Sequence, residues 1–480
     1  MKTITRTVIV GAGEAGRMLL REFIARKKAT EILGFLDDDP AKIGLIVEGK
    51  SVLGPSSKIA DAIKKLDLNQ VIVAMPSVHS RVIQEIVRMS LTADARINIL
   101  ILPAAEKYFD AAPLFPALEK PSFADLFTRP EFHLDVDLIR EHFSGKKIMV
   151  TGAGGSIGSE LCRQLLKFDI SGLAAIGRGE HSIYKLCQSL EEYSELMVNK
   201  PEISYHILDV RDQVLLEKTF IDTRPEIVIH AAAHKHVPLM EYNEAEAICN
   251  NVFGTKIVLD LAAVYSRQFV LISSDKAVRP VSIMGASKRI AELLTCRVGL
   301  ENRIKTAVVR FGNVIGSRGS VIPLFQRQIE RGGPVTVTDS RMKRFFMSIS
   351  EAALLTVNAV AGGGGEVFVL NMGHEYPIVE IARKMISWYG LRPDKDIAVT
   401  FTGLRPGEKL REDLCYKAVE LLQTTNEKIF ILRSDGKYRE KPLLDFLALS
   451  PETIKRMEAL EIRRLVKKVL PEFKQKKSSH

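Results

Sequence analysis

Cysteine is scarce in this 480-residue chain: five residues (Cys162, Cys187, Cys249, Cys296, Cys415), an odd number, scattered and with no CxxC pair. That usage excludes a disulfide scaffold, argues for a reducing compartment and argues against a structural zinc site. Long apolar runs are also missing. None approaches the ~18 residues of a membrane span, and the opening MKTITRTVIV is not a signal peptide, so the chain is expected to be soluble as it stands. A basic patch interleaved with aromatics is absent too. Lysine and arginine number 68 against 58 acidic residues, a net charge of +10 that is modest for this length. Nucleic acid is therefore not expected as a partner, whereas small anionic molecules are. The basic tail (Lys467, Lys468, Lys474, Lys476, Lys477) reads as a solvated end; a phospholipid surface enters only if a membrane segment precedes residue 1. What is present is 46% apolar and 26% charged residues, the balance of a globular chain with a sizeable core. At roughly 150 residues per domain, two or three domains are expected.

Two segments share one grammar of β-branched run, glycine turn and amphipathic helix. The first is Thr7-Val-Ile-Val10, GAGEAG from Gly11 to Gly16, then RMLLREFIARK; the second is Lys147-Ile-Met-Val150, TGAGGSIG from Thr151 to Gly158, then SELCRQLLKF. Further strand candidates alternate with helices after each, which predicts two doubly wound, Rossmann-like α/β domains built on parallel sheets. The expected boundaries are a small nucleotide-binding-type module at 1–115, a Pro-containing linker at 116–140 and a large domain at 141–480. In the large domain GLAAIGR, ISYHILDV, EIVIHAAA, FVLISSDKA and KTAVVRFGNVIG continue the alternation to about six strands. After residue 320 the pattern loosens into what reads as a subdomain covering the carboxyl ends of the strands, where ligands bind in such sheets.

TGAGGSIG follows a strand and opens a helix, the context in which a glycine motif carries meaning. Gly152 permits the tight turn, Gly155 lets the backbone approach a pyrophosphate, and Gly158 allows close helix–strand packing. Ser156 and Ile157 lie at the helix N-terminus, whose free N–H groups and positive dipole suit the anion. At the end of the second strand Gly177 stands where an acidic residue would bind the ribose of NAD, and Arg178 follows it. That tilts the expectation from NAD towards NADP. Asp209 and Val210 are placed to cap the adenine, and the small run Ala231, Ala232, Ala233 to let the backbone pass close to the cofactor.

Ser273-Ser-Asp-Lys-Ala-Val-Arg-Pro280 and Met284-Gly-Ala-Ser-Lys288 carry the chemistry. Met284 and Lys288 are four apart and share a helix face. The arrangement resembles the extended short-chain dehydrogenase/reductase superfamily, whose Tyr-x-x-x-Lys pair removes a hydroxyl proton; here Met284 occupies the tyrosine position, and a thioether is no general base. With TGAGGSIGSE, HAAAHKHVPLMEYN, NNVFGT, SSDKAVRP, MGASKR, VRFGNVIGSRGSVIPLF, RFFMSISEAA and LRPGEKLRE in order from about residue 147 to 413, the chain is similar to the polysaccharide-biosynthesis UDP-N-acetylglucosamine 4,6-dehydratases of the methionine-for-tyrosine branch.

That resemblance implies a redox-neutral reaction in three stages: oxidation at sugar carbon 4, loss of water across carbons 5 and 6, and hydride return to carbon 6. It implies Lys276 as base for the carbon-5 proton, Asp275 as acid for the leaving hydroxyl, Ser274 on the carbon-4 oxygen and Lys288 on the nicotinamide ribose, with Asn251 near the dinucleotide. Arg310 and Asn313 end the next strand. Lys235, Asn313, Arg318, Ser320, Arg405 and Glu408 are the expected contacts to a UDP-sugar, arginine forks suiting a diphosphate. His234 and His236 flank Lys235 as HxH, but without a third ligand at metal spacing no metal is expected. Long members of the family begin with membrane helices, so the expected location is the cytoplasm, or the cytoplasmic part of an inner-membrane protein if such a segment has been removed, and a homo-oligomer is expected. A UDP-sugar 4-epimerase and a catalytically silent nucleotide-binding regulator are the alternatives. The N-terminal GAGEAG, with Asp37-Asp-Asp39 ending another strand, suits either a nucleotide or a purely structural module.

Overall fold

The computed structural model describes residues 5–25, 30–76, 78, 80–94, 97–102, 118, 134–195, 197, 199–301, 303–364, 366–389, 391–416, 421–432 and 440–474. The chain divides into two compact units, one of residues 1–131 with 192–198 and the other of 132–191 with 199–480.

The first unit is a small α/β fold. Strands β1 (Thr5–Val10), β2 (Thr30–Leu36), β3 (Gln70–Val73) and β4 (Asn98–Ile101) form a parallel sheet in the order β2-β1-β3-β4. Helices α1 (Glu14–Ala25), α2 (Ile59–Lys65) and α3 (Ser80–Ala93) connect them. Ile9, Leu19, Leu20, Phe35 and Ile72 are buried between sheet and α1. Of the stretch expected as a linker, 116–133 lies outside the described residues except for 118. From Val136 to Phe143 the chain is helical (α4), capped by Asp135 and burying Ile139 and Phe143.

The second unit is built on a nine-stranded sheet. Its strands are β5 (Lys147–Thr151), β6 (Gly172–Gly177), β7 (Glu202–Ile207), β8 (Ile227–His230), β9 (Gln268–Ile272), β10 (Lys305–Arg310), β12 (Glu366–Leu370), β13 (Leu421–Gln423) and β14 (Ile429–Leu432); β11 (Lys343–Met347) belongs to a small side sheet. Seven run parallel in the order β7-β6-β5-β8-β9-β10-β12, and β14 and β13 close the edge antiparallel. The order reverses between β5 and β8, the switch point at which doubly wound sheets bind dinucleotides. The Rossmann-like α/β fold is thus present, with one parallel strand more than the six counted from sequence. That strand comes from the region read as a covering subdomain, which partly returns to the main sheet.

Helices α5 (Ser156–Leu165), α6 (Glu180–Ser194), α7 (Gln213–Thr223), α8 (Glu244–Tyr265, with a π turn at Cys249–Phe253) and α9 (Ile283–Leu300) cover the faces. Helix α8 is long and apolar enough to cross a membrane by length and composition, a run the sequence was not expected to hold, but 72% of its apolar window is buried inside the fold, as in a core helix. The remaining helices are α10 (Val321–Glu330), α11 (Ile349–Gly362), α12 (Ile378–Trp388), α13 (Glu440–Leu447), α14 (Pro451–Arg456) and α15 (Ala459–Val469). The last three bring Leu443, Phe446, Ile454, Ile462 and Val466 onto a core shared with α8 and α9, so the C-terminus supports the helices of the site.

Candidate active site

The glycine turn is shaped by close approach. Gly152 has φ +68°, and a Cβ there would stand 2.6 Å from the Ala232 nitrogen and 2.7 Å from the Ala231 carbonyl carbon. The alanine run therefore lies against the turn, as its small side chains suggested. A Cβ at Gly158 would meet the Gly152 carbonyl oxygen. Gly155 is the N-cap of α5 and offers no side chain to its first amides. An uncapped helix N-terminus beside a backbone cradle fits a dinucleotide pyrophosphate.

The far end of the turn differs from expectation. A Cβ at Gly177 would stand 2.8 Å from Ile183 Cδ1, so a larger residue there would have to displace the end of that side chain. Arg178 is exposed, its Nη1 3.6 Å from Asp209 Oδ2. Asp209 accepts from Arg211 Nε at 2.9 Å, Nη2 at 2.7 Å and the backbone N at 3.0 Å, and these bonds push its carboxyl down to about 2. Val210 is buried in the core with Leu208, Val258 and Leu259. Asn251, expected near the dinucleotide, is committed elsewhere. It accepts from His234 N at 2.8 Å and Asn250 Nδ2 at 2.9 Å, and donates to the His234 carbonyl at 3.0 Å and Ser287 Oγ at 2.9 Å. Those four bonds exhaust an amide side chain, so Asn251 ties the His234 loop to α9 instead of touching a ligand.

At the carboxyl end of β9 the chemistry-bearing residues converge. The backbone amide of Asp275 donates to the Phe311 carbonyl at 3.0 Å, and Ser274 caps the short turn Asp275–Ala277. Ser274 Oγ donates to Asp275 Oδ1 at 2.9 Å, and Lys276 Nζ donates both to Asp275 Oδ1 and to Asn313 Oδ1 at 2.9 Å. Asp275 is fully buried, and its Oδ2 has no hydrogen-bond partner among the described residues. Behind this cluster Lys288, 5% exposed, donates to the Ile272 carbonyl at 2.6 Å, and burial pushes its ammonium down to about 8. Met284 is 2% exposed and packs among apolar side chains of α8 and α9.

The loops supply positive charge. Lys235 is held below the ordinary lysine range by desolvation and by the charges of Lys276 and Arg318. His236 is lowered by burial and then by Lys235, Arg405 and His234. These cations share one neighbourhood, an arrangement that favours a polyanionic ligand. Arg318, expected on the substrate, lies on the glycine turn: its backbone N donates to Ser156 Oγ at 3.1 Å and its Nη1 to Ser182 Oγ at 2.9 Å. Ser320 has a buried hydroxyl without a hydrogen-bond partner among the described residues. Arg405 and Glu408 are paired with each other at 2.7 Å.

Residues 148–434, more than half of the chain, match the family described as polysaccharide biosynthesis protein. The chain belongs to this polysaccharide biosynthesis protein family. It is 40% identical over 417 residues to the probable polysaccharide biosynthesis protein EpsC of Bacillus subtilis, covering 86% of this chain and 69% of the relative. To the capsular polysaccharide biosynthesis protein CapD of Staphylococcus aureus it is 42% identical over 429 residues, 88% of this chain and 71% of the relative. Among solved structures, Pen from Bacillus thuringiensis is similar with TM-score 0.56 and 32% identity, over 61% of this chain and 91% of that one.

In this family member three features of the site escaped the sequence reading. His230, fully buried, hydrogen-bonds Thr151 Oγ1 at 2.7 Å and Thr255 Oγ1 at 3.0 Å; burial, then the charge of Lys288, pushes it down to about 3. Glu292 sits under the β9 end, accepting from Ser273 at 2.6 Å and from Arg310 at 2.7 Å and 3.1 Å, so the Arg310 fork is internal. Its position four residues after Lys288 was the available signal. Glu412, buried near Lys276, had none beyond its place in LRPGEKLRE.

Proposed function

We propose that this protein is a sugar-nucleotide 4,6-dehydratase that converts UDP-N-acetylglucosamine to its 4-keto-6-deoxy product with a tightly bound NADP or NAD. The observation that carries this reading is the Ser274–Asp275–Lys276–Asn313 cluster at the β9 end, with methionine buried where a phenol would stand. Gly152, Gly155, Gly158 and the Ala231–Ala233 run would hold the dinucleotide, which supplies reversible hydride storage when bound.

The protein's own work is positioning and proton transfer. Lys235 and Arg405 draw in the substrate diphosphate, while Arg318 steadies the glycine turn through Ser156 and Ser182. Ser274 holds the carbon-4 oxygen. Lys276 removes the carbon-5 proton and Asp275 protonates the departing carbon-6 hydroxyl, a pair of proton transfers worth about 10²–10⁴ in rate each. Five free thiols suit a reducing compartment, and we place the reaction in the cytoplasm.

Incubation with UDP-N-acetylglucosamine followed by mass spectrometry tests the reading. Loss of one water supports it; unchanged mass with a new NMR spectrum means an epimerase, and no change means a silent binder. Lys276→Ala and Asp275→Asn should each abolish water loss while retaining the bound dinucleotide, and full activity in both would overturn the assignment.

A further inference from the structure

The site is assembled from segments far apart in sequence, and one buried carboxylate touches three of them. Glu241 ends the single turn Val237–Met240 that follows directly on Lys235. Its Oε1 accepts from the backbone N of Ile283 at 2.7 Å, the first amide of α9, the helix that carries Met284 and Lys288. Ser282 Oγ takes the Gly285 amide at 3.1 Å, so two side chains hold the start of that helix. The third segment is the Arg405–Glu408 loop. Gly407 has φ +74°, and a Cβ there would stand 2.9 Å from Ser282 Cβ, 3.0 Å from Val237 Cγ1 and 3.1 Å from Glu241 Cδ. The backbone of the loop therefore rests on Glu241, Ser282 and Val237.

What fixes Glu241 comes from the C-terminal helix α15. Arg463 donates from Nη1 to Glu241 Oε2 at 3.1 Å and from Nη2 to the Glu241 carbonyl at 3.2 Å. The same fork reaches Glu244 Oε1, at the start of α8, from Nε at 3.1 Å and from Nη2 at 2.6 Å. The side chains of Arg463, Glu241 and Glu244 are 11%, 8% and 11% exposed. Water barely screens ions so placed, and removing the arginine would leave two carboxylates buried without their cation, a far larger loss than breaking a surface pair. Ile462 and Val466 dock α15 on the core shared with α8 and α9, so the guanidinium is presented from a fixed helix.

We propose that Arg463 is a positioning residue of the reaction, acting through Glu241. On the dehydratase reading, on which this inference rests, Lys235 and Arg405 hold the diphosphate, and α9 brings Met284 and Lys288 to the sugar and nicotinamide. Glu241 joins all three segments and Arg463 fixes Glu241. The pair thus sets the distance between the diphosphate anchor and the centre at which hydride leaves carbon 4. A misplacement of about 1 Å at reacting groups costs about 100-fold in rate. The glycine turn is built separately, from Gly152 against Ala231 and Ala232, which lets positioning be told from general support of the fold.

Arg463→Met keeps the stem and removes the charge, Arg463→Lys keeps the charge, and Glu241→Gln keeps an acceptor for the Ile283 amide while losing the ion pair. In Arg463→Met and in Glu241→Gln, kcat/KM for water loss from UDP-N-acetylglucosamine should fall about 100-fold, and no further in the double variant. Arg463→Lys should recover about tenfold of that loss. The bound dinucleotide should stay at the native level, while hydrogen exchange rises at Ile283–Ala286 and at 405–408 but not in β5. An unchanged kcat/KM in a folded Arg463→Met protein overturns the proposal. So does loss of dinucleotide and of β5 protection in step with activity, which would make Arg463 a support of the fold only. If Arg463→Met does not fold, Glu241→Gln and Arg463→Lys decide by the same readings. A native protein that releases no water would refute the dehydratase reading alone, since the exchange at α9 and the loop is read without substrate.

Discussion

The two glycine turns begin alike and commit their acidic residues differently. In the first unit Asp37, at the end of β2, accepts from the Ala12 amide at 2.7 Å and lies 3.3 Å from Lys42 Nζ. Its carboxylate holds the turn itself. In the second unit the equivalent strand ends in Gly177, and Asp209, just after the neighbouring strand β7, is taken by Arg211. There the turn is held by the approach of the alanine run to Gly152, and the helix N-terminus stays uncapped. The same strand–glycine–helix grammar can thus close on its own side chains or stay open to an anion, and the acidic residue decides which.

Backbone substitution breaks the comparison most sharply. Gly152→Ala puts a Cβ at φ +68° against Ala231 and Ala232, and Gly11→Ala puts one at φ +106°, 2.7 Å from the Ala74 carbonyl oxygen. The backbone conformation alone costs about 1–2 kcal/mol, and the collisions add to it. Gly152→Ala should lose the bound dinucleotide and all turnover. Gly11→Ala should reduce hydrogen-exchange protection in β1–β4 while the dinucleotide content and turnover of the second unit persist. Equal loss of turnover in both variants would show that the first turn serves the reaction directly.

Acid should separate the units next. His230 is pushed to about 3, far below the ordinary 6.5 or so of the unfolded chain. The unfolded state therefore binds a proton that the folded state refuses. The stability carried by neutral His230 is complete above about pH 6.5 and drains as pH falls towards about 3, by up to about 1.4 kcal/mol per pH unit. His142 and His206 are lowered by burial as well and act in the same direction. In the first unit Asp37 is lowered: burial works against this, but the Asp39 and Ala12 amides and Lys42 outweigh it. Its contribution is intact above about pH 4 and lost only below. Hydrogen exchange followed against pH should show β5 and β8 losing protection from about pH 6.5 downward, well before β1 and β3, with the difference reduced in His230→Gln. Simultaneous loss in both sheets would remove His230 as the cause.

The contrast also marks what the sequence discloses. Strand–glycine–helix segments are local patterns, so both sheets and the Asp275-Lys276 turn were legible from short stretches. Pairings between distant segments were not. Nothing in EVFVLNMG tells that β12 rejoins the sheet beside β10, or that α13–α15 return to pack on α8 and α9. Arg318 could be assigned to a loop but not to one wall of the cleft, and only the fold sets it on Ser156 and Ser182. His230 and Glu412 are single letters whose meaning comes from burial.

The smallest expected effect concerns cofactor choice at the open turn. The glycine at 177 stands where an acid would bind the ribose of NAD, and a larger residue there would also have to displace the end of the Ile183 side chain. The expectation of NADP rests on that missing acid and on Arg178. Its guanidinium is exposed and 3.6 Å from Asp209, which stays ionised beside two arginines. A phosphate on the adenosine ribose would gain Arg178 as a partner but would approach the Asp209 carboxylate, so the two charges oppose each other. Exposed ion pairs of this kind are worth about 0.2–1 kcal/mol, which sets the scale at no more than about a fivefold change in nucleotide ratio. NADP is the nucleotide expected in excess when the protein is denatured and its cofactor is separated by chromatography. Arg178→Ala should move that ratio towards NAD within the same limit, and Asp209→Asn should move it the other way by removing the opposing charge. NAD alone in the native protein, or a ratio indifferent to both substitutions, would mean that the open turn selects its cofactor through the backbone.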